Sequence, residues 1–352
     1  MTLRSVAALS EGGFVAVGER SDGVGIILHL RINQGWSVTY TNGPGLYCVA
    51  AGGEQLVTVG KKGTILISSN GIDWVHAASE VTNDLRAVAY SGTTWMSVGL
   101  RGTITTAMNP LAWTNRTGDL SQFDLLSLTH ADGAFMVVGG THLGHAFSSV
   151  DGVRWTITQI EPSTTALVAV AHGNGRYVAV TAPGVVAISP DGAGWTTSTL
   201  GSQYFDAQSL TYARGRFLAS VKEGLLSSAD GIRWVRDYSS PRPASWLRGV
   251  AFSGEEYVGV GDFLVRGESG PLPFILRAEG SKPYVDQIVL TNNAVKIFVS
   301  GGTPAKYGVE TATRVDAPSW ISLGEIAAPE GMGSFEGQTD NEAQRIYRVK
   351  AE

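Results

Sequence analysis

Tryptophan recurs in this chain at nearly even spacing. It stands at Trp36, Trp74, Trp113, Trp155, Trp195 and Trp234, and Phe274 continues the series after the last. A fixed period of roughly 40 residues signals stacked supersecondary units, none of which buries its apolar face alone. Seven units then cover residues 3 to 280. The second reads Leu46 to Ala50, Gln55 to Gly60, Gly63 to Ser68 and a turn at Asn70-Gly71 leading into Trp74. These are four short strands, rich in β-branched and small residues and bounded by turn residues. No amphipathic helical stretch interrupts them. About 40 residues per four-stranded unit, repeated radially, predicts a seven-bladed β-propeller, which leaves few exposed sheet edges.

Composition agrees with that reading. Glycine accounts for 45 of 352 residues, well above the ordinary ~7%. Much of it is placed regularly: second strands such as FVAVG, LVTVG, FMVVG and YVGVG end at Gly18, Gly60, Gly139 and Gly261. A sharp turn or a close blade-to-blade approach there would exclude a Cβ. With units running from inner to outer strand, blade 1 begins with its own inner strand and blade 7 ends with its own outer one. Closure of the ring then rests on packing rather than on a swapped strand.

Four units share the turn Ser-x-Asp/Asn-Gly-x-x-Trp, at Ser68 to Trp74, Ser149 to Trp155, Ser189 to Trp195 and Ser228 to Trp234. Asp-Gly and Asn-Gly favour the positive φ of tight hairpins, so the turn joins third and fourth strands. The serine hydroxyl satisfies a loop backbone group, and the indole fills space between neighbouring sheets. This pattern resembles the Asp-box (BNR-like) repeats of sialidase-like and photosystem II assembly-factor-like propellers. The resemblance extends from Met1 to Gly280, lacking the usual extra position before the glycine and with a looser Asn109-Pro110-Leu111-Ala112-Trp113 in the third unit.

After Gly280 the period stops. Six strand-like segments follow, at 287–290, 295–299, 307–311, 320–323, 334–337 and 345–349, enough for a small immunoglobulin-like β-sandwich. The expected organisation is a propeller over 1–280 and a sandwich over 281–352. The order Phe298-Val299, Tyr307-Gly308-Val309-Glu310, Trp320, Arg345-Ile346-Tyr347-Arg348-Val349 is similar to a sandwich domain near the C-termini of secreted bacterial proteins. That resemblance implies a secreted or cell-envelope location, although Met1 to Val6 opens directly on a strand pattern without a charged and apolar leader.

The formal net charge of -5 argues against a whole-surface affinity for nucleic acid. No apolar run approaches the ~20 residues that span a bilayer. The single Cys48 permits no intrachain disulfide. The expectation is a monomer without cofactor, metal or catalytic residues. His142 and His145 have a chelating spacing but lack a third ligand. Glu255 and Glu256 would point to opposite faces of a strand, unsuited to two-carboxylate hydrolysis.

Strand direction locates a candidate binding face. Each inner strand starts on the face that bears the loops between second and third strands. Positions just after the first leucine of the inner strand include Arg4, Tyr47, Arg86, Gln208 and Arg248, and the loops carry Arg20, Lys61, Lys62, Arg101 and Lys222. Blades 7, 1, 2 and 3 are consecutive around the ring. Arg248, Arg4, Arg20, Lys61, Lys62, Arg86 and Arg101 therefore form a basic crescent around Tyr47. Guanidinium groups bind carboxylate, sulfate or phosphate bidentately, which points to an anionic glycan or a protein partner. The resemblance implies the same class, since sialidase-like propellers hold a carboxylate with arginines and assembly-factor-like ones present a basic patch to a protein. The rival reading is a glycan-active hydrolase or lyase at the channel mouth, with Tyr47 and Glu19 imitating a tyrosine nucleophile and its glutamate.

Overall fold

A computed structural model of the chain describes residues 1–279 except 11, 32–34, 164, 200–205, 241–243 and 265–270. Beyond 279 it describes strands only, and side chains are described through Leu276. The described chain is all-β apart from two single-turn 3-10 segments, Lys61–Gly63 and Leu100–Gly102. Blade 1 comprises strands Thr2–Ala8, Phe14–Glu19, Val24–Arg31 and Gly35–Pro44, hydrogen-bonded antiparallel in that order. Five further four-stranded sheets repeat the order inner to outer.

The seven inner strands are Thr2–Ala8, Leu46–Gly52, Leu85–Tyr90, Leu125–Ala131, Leu167–Gly173, Ser209–Ala213 and Ser245–Phe252. Each lies beside the next, and the last lies beside the first, so the ring is closed. Together they surround the axis of a seven-bladed propeller.

The core sits between blades rather than within them, because each sheet is apolar on both faces. At every boundary buried residues of two blades interdigitate, and at all but the 6–7 boundary a tryptophan from the later blade packs on the cluster: Trp74 at the 1–2 boundary, Trp113 at 2–3, Trp155 at 3–4, Trp195 at 4–5 and Trp234 at 5–6. Trp36 does the same at the 7–1 boundary, with Leu3, Phe14, Ile26 and Leu28 of blade 1 against Val258 and Val260 of blade 7. The ring is thus closed by side-chain packing, with blade 1 built wholly from its own strands.

Blade 7 departs from the expected grammar. Phe274 fills the 6–7 boundary with Leu218, Leu225, Leu247 and Phe263, but it does so from the third strand, Leu272–Glu279, where it pairs with Gly261. The fourth place beside that strand is taken by Val285–Thr291, through the pair Arg277↔Asp286. That strand continues the sheet through Ala294–Ser300 to Met332–Gln338, while Ile321–Ala328, Ala305–Ala312 and Ile346–Ala351 form a separate three-stranded sheet. The landmarks Trp320 and Arg345 lie outside the described residues.

The four regular turns share their serine and Asp/Asn hydrogen bonds, and three of them add a bond from the indole; Trp155 Nε1 is buried without a hydrogen-bond partner among the described residues. In blade 5 the Ser189 hydroxyl accepts from Gly192 N–H at 2.8 Å, Asp191 Oδ1 accepts from Ala193 and Gly194 N–H at 2.9 and 3.1 Å, and Trp195 Nε1 donates to Gly192 O at 3.1 Å. Backbone donors of this kind hold the carboxyls of Asp151, Asp191 and Asp230 below the usual carboxylate range. The glycine ending the second strand has a different role from the expected one. A Cβ at Gly60 would stand 2.3 Å from Gly45 O, and at Gly139 2.0 Å from Asp124 O. The backbone that crowds it is that of the residue just before the inner strand of the same blade and of the first leucine of that strand.

Candidate binding face at the channel mouth

The crowded stretch coincides with a recurring irregularity: nearly every inner strand is bulged, although in blade 5 Thr181 stands opposite the same slip. The pairing of inner with second strand slips by one residue between Leu3 and Ser5, Leu46 and Cys48, Leu85 and Ala87, Leu125 and Ser127, Leu167 and Ala169, and Leu247 and Gly249. The extra residue is Arg4, Tyr47, Arg86, Leu126, Val168 and Arg248 respectively. Blade 6, which lacks the slip, has Gln208 at the corresponding place, its N–H bonded to Ser220 O at 2.9 Å. A bulge leaves its extra residue out of the ladder and re-aims the side chain. The leucine before each bulge is buried, whereas all seven of these residues are partly exposed. They make a rim of one residue per blade.

Contacts between successive rim residues join blades 6 to 7 and 1 to 3. Arg248 Nη1 donates to Gln208 Oε1 at 3.0 Å. The Arg4 guanidinium carbon lies 5.1 Å from the Tyr47 ring centroid and that of Arg86 lies 4.0 Å from it, a cation–π arrangement on both sides of one phenol. Tyr47 Oη donates to Asp84 Oδ2 at 3.2 Å. Blades 4 and 5 contribute Leu126 and Val168, so the rim is cationic and aromatic on one side and apolar on the other.

The crescent is met by carboxylates. Glu19, only 14% exposed, holds Arg4 at Oε1 and Lys61 at Oε2, each at 2.5 Å. Burial pushes the Glu19 carboxyl up, but hydrogen bonds from Lys61 and Arg4 outweigh it and leave the group below its usual range. Arg248 is held by both oxygens of buried Asp262. Arg86 lies 3.5 Å from Asp84, and Arg20 lies 3.2 Å from Asp22. The Nε–H groups of Arg4 and Arg86 are buried without a hydrogen-bond partner.

Lys62 and Arg101 are placed by their backbones. Both have positive φ, 55° and 57°, unusual for residues with a Cβ. Their N–H groups donate to the Asp84 and Asp124 carboxylates at 3.1 and 3.0 Å. Each aspartate immediately precedes the inner strand of the next blade, so these bonds tie blade 2 to 3 and blade 3 to 4. The side chains of Lys62 and Arg101 stay exposed.

Arg4, Tyr47, Lys61 and Arg86 therefore form one contact cluster. Arg248 has its own pair on blade 7, Lys62 and Arg101 occupy the neighbouring loops, and Arg20 is held locally by Asp22. Reading the repeat did not anticipate Asp84, Asp124 and Asp262, nor Leu126 and Val168 on the rim. Two of these aspartates have a sequence signal, an acid directly before the inner-strand leucine in Asp84-Leu85 and Asp124-Leu125; Asp262 does not.

The arrangement gives little support to nucleophilic chemistry at Tyr47. Burial raises its pKa, Arg86 pulls it back in part, and the net direction is upward, so the phenol is protonated at neutral pH. Glu19, the acid expected to assist it, does not bond the phenol: both Glu19 oxygens are occupied by cations, and the hydroxyl donates to Asp84 instead. His145 packs on Phe123 and Phe147. Among the described residues no group of three or more His, Cys, Asp or Glu is placed to hold a metal ion.

No family model and no curated protein matches this chain. Solved structures match its fold. Virginiamycin B lyase from Staphylococcus aureus superposes with a TM-score of 0.65 at 8% identity, over 73% of this chain and 91% of that one. U3-55K gives 0.61 at 9% identity, over 78% and 95%. YCF48 bound to D1 peptide gives 0.59 at 15% identity, over 74% and 88%. At these identities the likeness is one of architecture. The fold is shared by a lyase and by a peptide-binding protein.

Proposed function

We propose that this protein is a non-catalytic binding module whose channel-mouth face engages an anionic group on a protein partner. The observation that carries the reading is Tyr47 clamped between Arg4 and Arg86, with Arg248 on the same rim. Ion pairing leaves both stacked guanidiniums partly exposed and with donors to spare, and guanidinium–carboxylate pairing is geometrically specific. A structural neighbour with a bound peptide supports a protein ligand; a sulfated or carboxylated glycan would use the same donors.

The test is retention on immobilised polyglutamate and on a sulfated polysaccharide. Replacing Arg4, Arg86 and Arg248 together by glutamine should abolish retention in about 0.1 M salt, where exposed charges still act over ~10 Å. Unchanged retention of the folded triple variant would refute the reading. Comparing the two matrices separates peptide from glycan. For the hydrolase or lyase alternative, oligosaccharide release that vanishes in Tyr47→Phe would displace the binding reading. We further propose that residues 281–352 form a small immunoglobulin-like sandwich, and that the protein acts as a monomer outside the cell or at its envelope.

A further inference from the structure

We infer that a groove between blades 3 and 4, on the face opposite the rim, is a second binding site, for an extended peptide segment that alternates apolar and acidic side chains. The groove lies between the first hairpin of blade 3 and the last turn of blade 4. It is a half-open depression of about 670 Å³, a volume within the roughly 300–1,000 Å³ of ordinary ligand sites.

Its origin is visible by comparison with the boundary between blades 5 and 6. There, in the hairpin His172-Gly173-Asn174-Gly175-Arg176-Tyr177, Asn174 Nδ2 donates to Ala229 O at 2.8 Å and Arg176 Nη1 donates to Asp230 O at 3.1 Å. Two long side chains thus close the gap to the turn of the next blade. The blade 3 hairpin has the same length, Tyr90-Ser91-Gly92-Thr93-Thr94-Trp95, but carries Gly92 and Thr94 in those two places. The corresponding turn carbonyls, of Val150 and Asp151, accept no hydrogen bond among the described residues. The space that Asn174 and Arg176 fill at the other boundary is the groove here.

Three features define what fits. The carbonyls of Val150 and Asp151, on an exposed turn, are open to N–H donors, which a peptide backbone supplies. Met96 and Phe135 form an apolar floor, and the apolar surface extends outward onto Met108 and Val150, which are 81% and 77% exposed. Methionine is adaptable at such contacts, and exposed apolar groups of this size grouped around a concavity mark interaction sites. Arg116, whose Nε donates to Thr106 Oγ1 at 3.4 Å, stands at the edge with no carboxylate within ion-pair reach among the described residues, while the Asp151 carboxylate on the facing turn is held by the Val153 and Arg154 N–H groups and the Arg154 side chain. Charge complementarity therefore selects an acidic side chain on the incoming segment.

The experiment uses the full chain and an end-blocked, fluorescein-labelled decapeptide of alternating leucine and glutamate, followed by fluorescence anisotropy. We expect binding on the order of 10–100 µM, as for a small peptide contact. Thr94→Arg copies Arg176, and should weaken binding roughly tenfold or more by closing the groove while leaving the melting temperature unchanged or raised. Arg116→Gln should weaken the leucine–glutamate peptide about two- to fivefold and leave a leucine–glutamine peptide unaffected. Because the rim also attracts acidic peptides, the titrations are run in the triple glutamine variant of the rim as well, where the binding of both peptides that remains is that of the groove. The inference is overturned if the unaltered chain fails to bind at about 1 mM, or if folded Thr94→Arg binds equally well. It is also overturned if the rim variant abolishes binding, or if sedimentation shows a dimer that Thr94→Arg dissociates, since the occupant would then be a second copy.

Discussion

Replacing Glu19 by glutamine should move stability and anion binding in opposite directions. Glu19 accepts from Arg4 and Lys61 at 2.5 Å each. Breaking a fully buried ion pair costs about 3–5 kcal/mol. Here Arg4 and Lys61 are 27% and 33% exposed, so solvent takes up part of the loss and about 1–2 kcal/mol is expected. For a domain of this size that lowers the melting temperature by about 2–6 °C. The same change removes one negative charge beside the rim. For a carboxylate bound about 7 Å away at an effective dielectric of about 40, the repulsion removed is about 1 kcal/mol, a five- to tenfold gain in affinity. Calorimetric titration with an acidic peptide at low salt and at about 0.5 M should show the gain at low salt and its collapse at high salt. A folded Glu19→Gln protein with unchanged or weaker affinity would refute the argument. It would mean that Glu19 matters for holding Arg4 in position rather than for neutralising it.

Acid should loosen the blade turns. Because Asp151, Asp191 and Asp230 have folded-state pKa values below the ordinary one, their contribution is fully present above the unfolded pKa of about 3.9 and is lost as pH falls through the folded values. Converting all three to asparagine, the residue blade 2 already has at Asn70, should flatten the decline in melting temperature between about pH 4 and pH 2; an unaltered slope would show that acid attacks elsewhere. Trp36→Ala should cost about 2–4 kcal/mol, less than a fully buried aromatic, and should raise amide exchange first in Thr2–Ala8 and Leu272–Glu279. Uniform exchange around the ring would contradict a seam held by packing.

The period made the architecture legible because each tryptophan answers a geometric need, one aromatic ring per blade boundary, that recurs every blade. Phe274 shows where that reasoning stops. It supplies the ring that the 6–7 boundary needs, but from the neighbouring strand, and even spacing along the sequence does not distinguish the two placements. The candidate face was legible in part for a similar reason. Strand direction is enough to place Arg4, Tyr47, Arg86 and Arg248 at one end of the ring. Ion pairing is not periodic, so the partners Glu19 and Asp262 emerge only when second strands are set beside bulged inner ones. The groove between blades 3 and 4 depends on Gly92 and Thr94 being smaller than Asn174 and Arg176, a difference that gains meaning once the turn carbonyls they face are known.

The bulge also separates what the fold requires from what a ligand would read. Leu125 is fully buried and packs between blades 3 and 4, while Leu126 beside it is out of the ladder and partly exposed. An arginine at 125 would place an unpaired charge in the core, costing several kcal/mol and unfolding the blade. An arginine at 126 takes a bulge position like those of Arg4, Arg86 and Arg248, with Asp124 two residues before it as Asp84 is before Arg86, so its effect on stability should stay within about 0.5 kcal/mol. It would extend the cationic side of the rim into blade 4 and strengthen polyglutamate binding about two- to fivefold at low salt. Thermal melts and the retention assay on Leu125→Arg and Leu126→Arg compare adjacent residues of the same type in the same strand. Equal destabilisation by the two would show that the rim is part of the core, and the proposed division between frame and reading surface would fail.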